Sequence, residues 1–357
     1  MPEAHADRRA RLIAAVAEQD LGALLVTNLL NVRYLCGFTG SNAALLVTPG
    51  GAVLATDGRY ITQSAQEAPD VERIIERAVM SVLLSKAGTL GLARVGFEAH
   101  EMTVEQHTAL AAKSPPELVA SSRLVERLRA VKDETEIELL HEACAIGDRA
   151  FETLLPAITA GRSERQLAIA LEDLMRSEGS DGPSFETIVA TGPNSAIPHH
   201  SPTDREVARG DLVKFDFGAL YRGYHADMTR TVVVGVAADW QREIYDVVRR
   251  SQQAGVDALA VDALTGDIDT ASRSVIDDAG YGDHFTHALG HGVGLEIHEA
   301  PTLGSGGSDR LADRMPVTVE PGIYLEGRGG VRIEDTLVVR AGGTELLTKT
   351  TKDLLVL

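Results

Sequence analysis

The sequence predicts an α+β protein of two domains: a smaller α/β domain over residues 1–125, then a larger domain over 126–357 whose helices and strands do not alternate as βαβ units. Three observations lead there. The chain has 357 residues, about twice an ordinary domain. Its acidity is divided unevenly: up to residue 130, 14 Asp and Glu face 13 Lys and Arg, and beyond it 38 face 21. Strand-like apolar runs alternate with helical patterns in the first third, whereas long capped helices and separate β-rich stretches fill the rest.

In the first domain, short apolar runs at 23–27, 43–48, 52–56 and 94–98 read as strands, and 59–68 and 103–112 as helices. Pro49, Gly50 and Gly51 turn the second strand into the third. Thr103 with Gln106 three residues on is a capping box. In the second domain, Asp133 with Glu136 opens a long helix carrying Ile137, Leu140, Cys144, Phe151, Leu155 and Ile158 at helical spacing. Ser163 with Gln166 opens another that runs to about residue 179, and a further helix spans 239–260. The β-rich stretches are 185–191, 211–235 and 317–339.

Composition excludes several function classes. A formal charge of −18 has the wrong sign for tracking phosphate backbones, so nucleic acid is not an expected partner. The apolar stretch at 12–17 is too short for a signal segment, and no run approaches the ~18 apolar residues of a membrane span. Cys36 and Cys144 stand in no metal or redox spacing, which fits buried thiols in a reducing, cytoplasmic compartment.

The chemistry concentrates in the second domain. Seven of the 11 histidines fall between His199 and His298. Asp216 and Asp227 flank a turn, and a two-residue turn at Tyr221 and Arg222 would set them directly opposite one another. Glu320 and Glu334 repeat the device about a turn centred on Gly327. Opposed side chains on one face lie about 5 Å apart, and like charges so placed destabilise a hairpin. Taken singly, each carboxylate reads more simply as a solvated charge; the paired spacing points instead to cations. Two divalent ions would balance the four carboxylates. The fifth donor expected is His291, in Gly290-His291-Gly292-Val293-Gly294, whose glycines permit close backbone approach to a ligand. Asp216-Phe217-Gly218 mimics a kinase metal motif, but neither a glycine-rich loop with its lysine nor a catalytic loop accompanies it. Thr302 stands where a zincin helix would need its second histidine after His298. Gly290, Gly292 and Gly294 do not follow the strand of a βαβ unit, which argues against a dinucleotide fingerprint.

Four segments, PHHSPTDREVARGDLVKFDFGALYRGYHADMTRT, HALGHGVGLEIHEAP, VEPGIY and GGVRIEDT, resemble the pita-bread metallopeptidases: prolidase, aminopeptidase P and methionine aminopeptidase. The first domain, with Ser41-Asn42 and Asp57-Gly58-Arg59-Tyr60, is similar to the creatinase-like N-terminal domain of the prolidase and aminopeptidase P branch, which methionine aminopeptidases lack. The resemblance implies a pita-bread catalytic domain and a dinuclear centre held by Asp216, Asp227, His291, Glu320 and Glu334, with Asp227 and Glu334 bridging. It implies catalytic roles for His199, His298 and Glu320, substrate contact by His287 and Arg332, and a supporting place for Tyr324. The implied reaction is hydrolysis of the bond between an N-terminal residue and proline, in dipeptides or longer peptides, by attack of a metal-bridging hydroxide. Manganese suits the oxygen-rich ligand set, and cobalt or zinc is also compatible with it. Members are commonly homodimers whose N-terminal domain reaches the partner's site, here through residues 31–38 or Arg59. A broader or methionine-type aminopeptidase, or a non-catalytic peptide binder on the same fold, is the alternative. A basic group over the dipeptide's carboxylate would favour a dipeptidase; without one, there is room for longer chains.

Overall fold

A computed structural model of the chain describes residues 2–112 and 116–357. It divides into two compact units, Met1–Arg129 and Ala130–Leu357.

The first unit runs α1 (Pro2–Ala17), β1 (Ala23–Val26), α2 (Leu29–Cys36), β2 (Ala43–Thr48), β3 (Gly51–Thr56), α3 (Ile61–Glu67), β4 (Glu72–Ile75), α4 (Val79–Thr89), β5 (Arg94–Glu98), α5 (Val104–Ala111), β6 (Glu117–Ser121) and α6 (Leu124–Ala130). Its six strands form one mixed sheet in the order β4-β3-β2-β1-β5-β6. The central strand β1 is buried along its length, as its unbroken Ala-Leu-Leu-Val run requires. The expected capping box closes on Thr103 and Gln106. Edge strands β4 and β6 went unread in the sequence because an edge exposes its side chains and loses the apolar signal.

The second unit contains α7 (Glu134–Leu154), α8 (Glu164–Ser177), β7 (Gly182–Pro183), β8 (Ile188–Thr191), β9 (Leu212–Phe217), β10 (Ala219–Tyr221), β11 (Tyr224–His225), β12 (Met228–Val233), α9 (Asp239–Asp257), α10 (Thr265–Asp278), β13 (Gly290–Gly292), β14 (Glu299–Leu303), β15 (Pro316–Val319), β16 (Gly322–Leu325), β17 (Gly329–Arg332), β18 (Asp335–Val338) and β19 (Glu345–Leu346). Both capping boxes read from the sequence form, at Asp133 with Glu136 and at Ser163 with Gln166. Two helix pairs each close a separate core. Residues of α7 and α8 pack on β8, β9 and β12, where Phe151 stacks on Phe217 at 5.3 Å. Residues of α9 and α10 pack on the strands from β14 to β18.

Two hairpins position the candidate chemistry. In the first, the pairing is two residues out of step with the sequence expectation: Asp216 faces Thr229, and the turn falls on Arg222 and Gly223. Both turn residues have positive φ, 47° and 79°, the primed geometry that suits the twist of a two-residue hairpin. A shift of two preserves the face, because side chains alternate with period two. In the second hairpin the expected register is the one observed. Leu325 pairs Gly329, Gly322 pairs Arg332 and, beyond a break, Val319 pairs Asp335, all about Gly327. At that break the chain passes from one sheet into another, and Glu320 and Glu334 stand on its two arms, between the paired segments on either side.

Candidate metal centre

Each donor is held by a specific backbone feature. On β9, Phe215 and Phe217 point into the α7 and α8 core, so alternation sends Lys214 and Asp216 to the opposite face. Asp227 sits between β11 and β12, where its carbonyl accepts a hydrogen bond from Thr336 Oγ1 at 2.8 Å. The Glu334 N–H bonds the Thr229 carbonyl at 3.1 Å and ties the second hairpin to the first. The Glu320 N–H bonds Leu289 O at 2.8 Å. His291 lies on β13, between β14 and β15. The glycines around it serve strand contact rather than ligand approach: a Cβ on Gly290 would stand 2.0 Å from Thr318 O, and one on Gly292 2.3 Å from Ala300 O.

The five predicted donors come together. His291 Nε2 lies 3.4 Å from Asp227 Oδ2 and 3.6 Å from Glu320 Oε1. One donor atom each from Asp227, His291 and Glu334 fall within 4.8 Å of one another. The Gly292 carbonyl, 3.0 Å from His291 Nδ1, accepts the hydrogen bond of an Nδ1–H and so leaves the Nε2 lone pair turned to the carboxylates. Thr229 Oγ1 donates to Glu334 Oε2 at 2.8 Å, yet Glu334 Oε1 and Asp216 Oδ1 are buried without a hydrogen-bond partner. Buried polar atoms are rarely left so. Burial, reinforced by Asp216 and Glu320, pushes the Asp227 carboxyl far above its usual range. Burial acts likewise on Glu320, with Glu334 beside it, and on Glu334, with Asp227 beside it. Two orphaned oxygens, a turned imidazole and three carboxyls short of positive charge fit divalent cations held by these residues.

Above this floor lies a cavity of about 260 Å³ lined by His199, His298, the five donors and an apolar wall of Phe185, Ile188 and Ile297. The His298 ring meets His291 edge-on at 4.4 Å, and burial, then the His291 and His199 charges, lower its pKa. His200 reaches the same lining, but its Nε2 lies 2.8 Å from Glu164 Oε2, which also accepts from Thr203 N and Oγ1. That contact anchors the loop that presents His199.

His287 and Arg332, expected to touch substrate, are not among the residues lining this cavity. Arg332 is 2% exposed. It is bound to Asp216, donates to Tyr324 Oη at 2.8 Å and Thr229 Oγ1 at 3.0 Å, and its Nε stands 3.8 Å from Glu320 Oε2. His287 Nδ1 faces the Ala288 carbonyl at 2.8 Å, so its Nε2 accepts from the Tyr324 hydroxyl at 2.8 Å. Burial, aided by Arg332, drops its pKa to about 4. Sequence reasoning missed Lys214, wholly buried on β9, whose Nζ donates to the carbonyls of Ile197 at 2.7 Å and Pro198 at 3.2 Å, just before His199. Its one legible signal was a lysine inside an apolar strand on the same face as Asp216.

The chain matches the description "metallopeptidase family M24" over residues 138–341 and "creatinase/prolidase N-terminal domain" over 8–131. It is 41% identical to an uncharacterised peptidase of Bacillus subtilis over 94% of this chain and 96% of that one. Among solved structures it is similar to an Xaa-Pro dipeptidase from Bacillus anthracis, with 38% identity, TM-score 0.96 and coverage of 99% and 100% of the two chains. An X-Pro aminopeptidase from Thermotoga maritima is 35% identical at TM-score 0.91, over 98% and 99%. The fold expected from the resemblance, a creatinase-like domain ahead of a pita-bread catalytic domain, is the fold found.

Proposed function

We propose that this chain, which belongs to metallopeptidase family M24, hydrolyses the bond between an N-terminal residue and a following proline, in dipeptides, in longer peptides or in both. The observation that carries this reading is the convergence of Asp216, Asp227, His291, Glu320 and Glu334 on the floor of one cavity with His199 and His298 on its wall. Those five residues would hold two divalent ions, Asp227 and Glu334 serving both. Four carboxylates and one imidazole favour manganese, and cobalt or zinc is compatible. When bound, such ions supply a water of lowered pKa and polarise the scissile carbonyl.

The chain's own groups do the rest. Glu320, whose side chain is 18% exposed against 7% for Asp227 and 11% for Asp216, is the ligand carboxylate best placed to take a proton from the attacking water and pass it to the proline nitrogen. His199 and His298 donate hydrogen bonds to the carbonyl oxygen as charge grows on it. Arg332 and His287 act as positioning residues through Asp216 and Tyr324. Proline offers no N–H, so the apolar wall of Phe185, Ile188 and Ile297 can seat its ring without leaving a donor unpaired.

The free, buried thiols of Cys36 and Cys144 support a reducing, cytoplasmic setting, and no helix among the described residues is long and apolar enough to cross a membrane. In a homodimer, Arg59, with a 65% exposed side chain, is the group available to reach a partner; Asn31, Tyr34, Leu35, Cys36 and Phe38 are buried in their own unit. Sedimentation of a fully active monomer would remove the dimer.

The test of activity is hydrolysis of Ala-Pro, Ala-Pro-Ala and Met-Ala-Ala by metal-stripped protein before and after adding Mn²⁺. Restored cleavage of either proline peptide supports the reading. Cleavage of Met-Ala-Ala alone would replace it with a methionine-type activity. Silence with Mn²⁺, Co²⁺ and Zn²⁺ alike would leave a binding protein.

A further inference from the structure

His199 is an exposed residue on the cavity lining, carried by a stretch, residues 197–203, that belongs to no helix or strand. Loops of this kind are mobile unless tied down. On the far side of His199 the tie is Glu164, wholly buried at the start of α8, whose Oε2 takes His200 Nε2 at 2.8 Å and the N and Oγ1 of Thr203 at 2.9 and 2.6 Å. On the near side apolar packing is weak, since Ile197 is 46% exposed. The tie there is Lys214 on β9, which is 0% exposed and donates from Nζ to the Ile197 carbonyl at 2.7 Å and the Pro198 carbonyl at 3.2 Å. Pro198 O also accepts from Arg332 Nη1 at 3.2 Å.

A lysine is almost never fully buried unless its charge is answered. Asp216, on the same face of β9, is bonded to Arg332, and the ammonium of Lys214 is spent on two backbone carbonyls instead. Hydrogen bonds from a cation are shorter and stronger than neutral ones, so the chain is pinned at the two residues before His199. We infer that Lys214 is a positioning residue for His199: by holding the Ile197 and Pro198 carbonyls it keeps the imidazole aimed at the substrate oxygen on which charge develops. Lys214 is not among the residues lining the cavity, so its effect runs through the loop and not through contact with substrate. The inference rests on the peptidase reading above and adds to it a group outside the cavity.

The test is a double-mutant cycle on the Mn²⁺-loaded full chain with Ala-Pro-Ala: wild type, Lys214→Met, His199→Ala and the two together. Lys214→Met keeps the length of the side chain and removes its charge and donors; Lys214→Gln, which keeps a donor, is run beside it. Lys214→Met is expected to lower kcat about 10- to 100-fold, the scale of a misplacement near 1 Å, with KM within about threefold of wild type, because the lost contact is one made in the transition state. Once His199 is alanine, Lys214→Met should cost less than about twofold more, since both changes remove the same interaction. Bound Mn²⁺ and far-UV circular dichroism should match wild type. In the metal-free chain, the imidazole signal that His199→Ala removes from the NMR spectrum should shift or broaden in Lys214→Met. Losses that multiply across the cycle, an unmoved His199 signal, or loss of fold or of bound metal in both Lys214 variants overturn the inference while leaving the peptidase reading in place. No cleavage by the wild-type chain overturns the peptidase reading, and the inference falls with it.

Discussion

Arg332 holds one guanidinium against Asp216, Tyr324 and Thr229 in a space closed to water. Removing one partner of such a buried pair strands the other charge, which typically costs about 3–5 kcal/mol. Arg332→Ala in the metal-free protein should lose stability on that scale in urea titration; a loss below about 1 kcal/mol, the worth of an exposed pair, would show that the brace is incidental. The carboxyls beside it set a pH dependence. Asp227, Glu320 and Glu334 have folded-state values raised above their unfolded ones, so the stability they lend the metal-free protein is complete below the unfolded value, about pH 4, and is lost as pH rises through the raised values. Divalent ions reverse that loss and displace protons. The rise in melting temperature on adding Mn²⁺ should therefore grow from pH 5 to pH 8, and calorimetry in buffers of different ionisation heat should register proton release. A pH-independent rise would contradict the burial of these groups. The candidate donors stood out in the sequence because acids beside Phe, Val and Ile, at mirrored distances from turns, are conspicuous. Lys214 was not: its partners, the carbonyls of Ile197 and Pro198, lie on a loop that the strand pattern does not reveal.

Among the elements, the second hairpin was readable about Gly327 because its turn is symmetric and both arms keep register across the break. The first was read two residues off, since the choice between Tyr221-Arg222 and Arg222-Gly223 depends on which residues accept positive φ. Glycine favours the second option. That hairpin carries a tight point that no pattern signals: a Cβ on Gly218 would stand 1.8 Å from the Ala226 carbonyl oxygen. Gly218→Ala must push the chain next to Asp227 outward. Displacement of about 1 Å at a reacting centre can cost on the order of 100-fold in rate, so this variant should lose activity and Mn²⁺ affinity on that scale while keeping its far-UV circular dichroism. Unchanged kinetics would show that Asp227 is not fixed by this strand contact.

For the whole molecule, the unequal charge of the two halves was the clearest sequence sign of two differently built units, and the motifs of the second marked where the chemistry lies. Burial raises the Cys36 thiol to about 12 and lifts Cys144 as well, so neither forms thiolate near neutral pH. A thiol reagent at pH 8 should find no reactive cysteine in the native protein and two in denaturant; rapid native labelling would contradict that packing. The proposed dinuclear centre is tested most directly by adding Mn²⁺ to metal-stripped protein while measuring both bound metal and hydrolysis of Ala-Pro-Ala. Binding that saturates at two ions per chain, with hydrolysis rising alongside it and both lost in Asp227→Ala, is the expected result. Full hydrolysis by the stripped protein, or saturation with metal that leaves Asp227→Ala unaffected, would contradict it.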